Sequence, residues 1–93
     1  MPYIKKEKRE KFEGILKLLE QITKSKKQYY SISVGDLNYL ISSICLLYLK
    51  HNDESYSTYN DIIGALESAK LEFYRRQIAN YENKKARENG DVY

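Results

Sequence analysis

Between Leu37 and Leu49 the chain reads Leu-Asn-Tyr-Leu-Ile-Ser-Ser-Ile-Cys-Leu-Leu-Tyr-Leu. Leu37, Leu40, Ile41, Ile44, Cys45 and Tyr48 follow helical spacing, while Leu46, Leu47 and Leu49 populate the remaining sides. A helix apolar nearly all round is one covered by several neighbours. The segment 34–50 is therefore expected to be the central, buried second helix of an all-α fold. Ser33 or Asp36 is placed to cap its first amides, and Asp36 also suits the positive helix end.

The neighbours must come from a short chain. Ninety-three residues at 11.0 kDa fit one domain, 1–93. Such a chain buries only about 60–65% of the surface its unfolded form exposes, so a monomer is marginal unless something adds to its core.

A first helix is predicted near 8–23, because Phe12, Ile15, Leu16, Leu19 and Ile22 fall on one face. Gly14 weakens it by about 1 kcal/mol relative to Ala, which suggests close packing against another backbone there. Lys24–Lys27 reads as a charged connector and Tyr29–Val34 as an ordered loop; His51–Ser57 is a polar break. A long third helix is predicted near 58–88, starting at Ser57 or Thr58 with Asp61 in a capping-box pattern and ending at Asn89-Gly90. Its apolar face moves along its length. Ile62, Leu66, Ala69 and Phe73 share one stripe; Leu71, Tyr74, Ile78 and Tyr81 share another, about a third of a turn away. Either the helix kinks near Ala79-Asn80, or its second half packs on another chain.

That second option predicts a homo-oligomer, most simply a two-fold dimer, with Leu71, Tyr74, Ile78, Tyr81 and Tyr93 at the interface. Tyr93 joins the set because a bulky aromatic beyond the helix stop is expected to dock on helix three or on a neighbouring subunit.

The chemistry-bearing residues are few. Cys45 has no second cysteine to pair with, and with the single histidine, His51, it makes neither a metal site nor a nucleophile pair. Cys45 reads as core and His51 as an exposed loop residue. No glycine-rich phosphate loop and no Ser-His-Asp set occurs, so no enzyme, cofactor or metal is expected. No apolar run approaches the ~18 residues of a membrane span, and Met1–Lys11 lacks a signal-peptide core, so a cytoplasmic location is expected.

The unusual feature is tyrosine: ten residues, against two Phe and no Trp. Tyrosine suits surfaces buried only part of the time, although an AT-rich genome would enrich it too. Net charge is +3, too mild for a dedicated DNA-binding domain. Lys5, Lys6, Lys8, Arg9 and Lys11 form either an anion-binding arm or a solvated first turn. Lys24, Lys26 and Lys27 beside Tyr29 and Tyr30 form either a nucleic-acid contact or a solvated loop. Arg75 and Arg76 offer planar forks for phosphate or carboxylate, with Tyr74 beside them to stack on a base. Glu72 is equally placed to pair with them along the helix. Tyr39, at the start of helix two, lies where backbone amides favour an anion.

Met1-Pro2-Tyr3-Ile4, Gly35-Asp36-Leu37-Asn38-Tyr39, Ala69–Arg76, Tyr81–Lys85 and Glu88–Tyr93 together resemble a small domain-of-unknown-function family of bacteria, archaea and their viruses. The resemblance spans nearly the whole chain and implies no activity. The resemblance implies a kink near Asn80, where relatives often carry proline, and it implies that both chain ends matter.

The functional expectation is a non-enzymatic, phage-associated helical protein. It captures an anionic, nucleotide-like ligand through Tyr39, Tyr74, Arg75, Arg76, Lys84 and Lys85, or blocks a host protein in the host cytoplasm. The alternative is a nucleic-acid-binding accessory protein using the basic ends and tyrosines.

Overall fold

The computed structural model of the chain describes residues 3–23 and 32–93. Of these, 83% are helical and none is in a strand, so the fold is all-α.

The first helical run begins with α1, Lys6–Arg9, tightens into a 3-10 turn at Glu10–Phe12, and continues as α2, Glu13–Thr23. It starts two residues before the predicted boundary. Nothing lies within 4 Å of the point where a Cβ on Gly14 would sit, so close backbone packing does not account for that glycine.

The second helix, α3, spans Val34–Lys50, as its periodicity predicts. Ser33 and Asp36 act together rather than as alternatives. The Asp36 amide donates to Ser33 Oγ and the Ser33 amide donates to Asp36 Oδ2, each over 3.0 Å. This reciprocal box satisfies two donors that helix geometry leaves free. Asp36 in the first turn and Lys50 in the last also oppose the helix dipole.

The third helix begins as α4, Tyr56–Phe73, two residues before the predicted Thr58 start. Ser55 is the cap, accepting from the Thr58 amide over 3.2 Å. The Thr58 hydroxyl donates back to the Asp53 carbonyl over 2.6 Å, and Thr58 is the one buried residue among those described. The turn between α3 and α4 is thus pinned by polar contacts, not by an apolar plug.

At Tyr74–Ile78 the helix widens into a π turn before continuing as α5, Ala79–Asn89. The Ala79 amide reaches back five residues to the Tyr74 carbonyl. A turn that takes one extra residue rotates everything after it by about 100°. That rotation carries Ile78 and Tyr81 round relative to Leu71 and Tyr74, and it falls just before the expected kink at Asn80. The Asn80 side-chain amide donates to the Arg76 carbonyl over 3.0 Å, supporting the backbone where the π turn ends. At the far end Gly90 takes φ +91°, which reverses the chain so that Val92 runs back beside α5.

The expectation of a buried second helix is not met within the single chain. No residue of α3 is buried, and Leu46 is 65% exposed. The physical reason is that, among the described residues, α4 is the one helix that packs extensively beside it. The same openness shows in the dimensions: the radius of gyration is 17.1 Å, against about 12 Å for a compact domain of this length. Tyr93 is also not docked on helix three; its side chain lies wholly in solvent, and only its amide is tied, to Asp91 Oδ1 at 2.8 Å.

Candidate functional site

Two features stand out on this scaffold: a polar cluster where α4 meets the π turn, and an apolar groove between α3 and α4.

The cluster is centred on Glu72. Arg75 lies three residues on, the spacing at which helix neighbours meet. Its guanidinium grips the carboxylate with both arms, at 2.5 Å to Oε1 and 3.3 Å to Oε2. The Tyr3 hydroxyl closes over the same carboxylate, donating to Oε1 over 2.6 Å. These two donors hold the Glu72 carboxyl below its ordinary range, Arg75 first and Tyr3 second. In turn Glu72 raises both the Tyr3 phenol and the Arg75 guanidinium. Upstream, Arg9 Nε donates to the Ile4 carbonyl over 2.9 Å, so the segment before α1 is held at two points.

Two residues after Glu72, the Tyr74 hydroxyl donates to the Glu82 carboxylate, 2.9 Å and 3.0 Å from its two oxygens. That bond raises the Tyr74 phenol above its ordinary range. It spans eight residues across the π turn. Lys85 pairs with Glu88 at 3.2 Å and lies 5.6 Å from the centre of the Tyr81 ring.

The predicted ligand-binding set is therefore divided. Arg75, Lys85 and Tyr74 are already engaged by Glu72, Glu88 and Glu82. Arg76 and Lys84 make no ion pair among the described residues. Arg76 lies within electrostatic reach of Glu72 and Tyr3 without bonding either. Tyr39, on the first turns of α3, is 72% exposed and makes no hydrogen bond to the others. The connector Lys24, Lys26 and Lys27, with Tyr29 and Tyr30, lies outside the described residues. Leu71, Tyr74, Ile78 and Tyr81, the expected interface stripe, are all exposed.

Sequence reasoning missed the groove. Ile41, Ile44, Cys45 and Tyr48 form one wall and Ile62, Ala65 and Leu66 the other, with Asp61 among its lining residues. Its volume is about 360 Å³. Both walls are stripes legible in the periodicity. That they face each other across a gap, instead of closing on one another, is visible only in three dimensions. Likewise, nothing in the sequence pairs Tyr3 with Glu72.

No helix among the described residues is long and apolar enough to cross a membrane.

These features define a small all-α protein: a helical hairpin with an open apolar groove, its third helix widened by a π turn and held at that point by the N-terminal segment. The chain belongs to the family described as a domain of unknown function, DUF6899, whose profile covers residues 1–92. No curated protein and no solved structure matches it.

Proposed function

We propose that the chain is a non-enzymatic helical binding protein that works as a homo-oligomer, most simply a two-fold dimer. The observation that carries this reading is the absence of any buried apolar side chain among the described residues. The chain exposes 8985 Å², whereas a compact monomer of 11.0 kDa exposes about 5,600 Å². The excess is about 3,400 Å², more than the ~1,000–2,500 Å² that each partner contributes to an obligate dimer. A second copy is the simplest cover, because closed two-fold dimers are the commonest soluble assembly. The stripe Leu71, Tyr74, Ile78 and Tyr81 is part of the surface to be covered.

Light scattering of the full chain at micromolar concentration tests this. The expected mass is about 22 kDa, twice the 11.0 kDa chain, or a higher multiple. A mass of 11 kDa overturns the reading.

Capture of an anionic small molecule is a second reading, favoured by Arg76 and Lys84, which make no ion pair among the described residues. A thermal-shift screen of nucleotides should raise the melting temperature of the wild type and not of an Arg76→Ala, Lys84→Ala double variant. No shift with any nucleotide removes it.

A further inference from the structure

We infer that the groove between α3 and α4 is filled by α2 of a second copy. The inference rests on the homo-oligomer proposed above and names one of its seams. The chain carries two unpaired apolar surfaces of opposite shape. The concave one is the groove. The convex one is α2, the most amphipathic of the helices. Ile15, Leu18, Leu19 and Ile22 fall at i, i+3, i+4 and i+7, the anchor spacing of a helix that docks in an apolar groove. Ile15, Leu18 and Ile22 are each more than half exposed, so among the described residues most of this ridge is uncovered. Nor does α2 pack extensively on α3 or α4.

Ridge and groove in one chain that do not meet each other can meet between copies. A reciprocal exchange about a two-fold axis places each α2 in the partner's groove, which buries two ridges and two grooves at once and closes the assembly. The excess exposed surface is large enough to supply such an exchange and leave surface for other seams. Charge agrees as well: Lys11, one turn before Ile15, carries a cation toward the end of the ridge, and the groove includes Asp61.

Cys45 in the groove wall provides the probe. Two forms of the full chain are co-expressed and mildly oxidised: a tagged copy with Leu19→Cys and Cys45→Ser, and an untagged wild-type copy. The expected product is a disulfide-linked tagged–untagged pair, formed several-fold more than with Lys17→Cys on the polar face of α2. Ile22→Cys in place of Leu19→Cys covers the case in which the first variant does not fold. If light scattering shows an oligomer but neither cysteine links above the Lys17→Cys control, α2 is not the occupant and the inference fails while the homo-oligomer stands. A cross-link formed only within a single chain carrying both Leu19→Cys and Cys45 also overturns it, because the chain's own α2 then fills the groove. A mass of 11 kDa removes the oligomer itself.

Discussion

Tyr3 and Glu72, 69 residues apart in the chain, meet at 2.6 Å, and the phenol shares its carboxylate with Arg75. This contact ties the N-terminal segment to the end of α4, directly before the π turn. It explains in physical terms how residues near a terminus take part in the fold, where termini ordinarily fray. Glu72 is only 22% exposed as a result, although its neighbours on the helix are open.

Replacing the phenol without its hydroxyl isolates the contact. Tyr3→Phe is expected to release residues 3–9 while leaving α3 and α4 intact. Hydrogen exchange should show faster exchange confined to α1, with a melting temperature lowered by no more than a few degrees. Unchanged protection of α1 would show that the ring alone holds the segment.

The same contact should depend on pH from both sides. The Tyr3 phenol is raised above its ordinary value of 10.0 by Glu72. Its contribution is therefore fully present below pH 10 and lost as pH rises through the raised folded value. Glu72 is lowered from its ordinary 4.5 by Arg75 and Tyr3. That contribution is present above pH 4.5 and lost as pH falls through the lowered folded value. NMR titration of ring-labelled tyrosine, assigned by difference from Tyr3→Phe, should place the Tyr3 midpoint above 10. A Glu72→Gln variant should bring it back to the ordinary range.

Thr58 is the single buried point of the hairpin turn, with its hydroxyl bonded to the Asp53 carbonyl at 2.6 Å. Thr58→Val keeps the shape and removes the hydroxyl, so the Asp53 carbonyl loses its side-chain donor and the Ser55 hydroxyl loses its acceptor. A loss of about 1–3 kcal/mol is expected from denaturant unfolding. Thr58→Ser, which retains the hydroxyl, should cost less. A larger loss for Thr58→Ser than for Thr58→Val would assign the effect to the methyl group, which valine keeps and serine lacks.

Gly90 holds φ +91°, a region that side chains with a Cβ rarely enter. Gly90→Ala should free Asp91–Tyr93 from the groove they form with Glu82, Lys85 and Ala86. Because the Tyr93 ring is already in solvent, circular dichroism should show helix content unchanged and a melting temperature lowered by no more than a few degrees, the cost of the backbone strain. Loss of helix content, or a larger drop in melting temperature, would mean that the tail is covered by something beyond its own chain.

The helices were legible in the sequence because their causes are local. Apolar spacing set α3 to the residue, Ser33 and Asp36 marked its start three residues apart, and Glu72 was within helical reach of Arg75. The start of α4 was misplaced by two residues because Ser55 and Ser57 are both competent caps, and the fold of the His51–Ser55 turn chooses between them. The shift of the apolar stripe was also legible at Leu71–Tyr81, but not the π turn that falls within it. A π turn changes hydrogen-bond partners without demanding a particular residue, and only the backbone path reveals it. Tertiary structure alone decided the rest. Whether Ile44 and Leu66 close on each other or leave a groove, and whether Tyr3 finds Glu72, depends on how whole helices are placed in space. Periodicity states which face of a helix seeks cover; it carries no information about which surface provides it, since apolar attraction is non-directional.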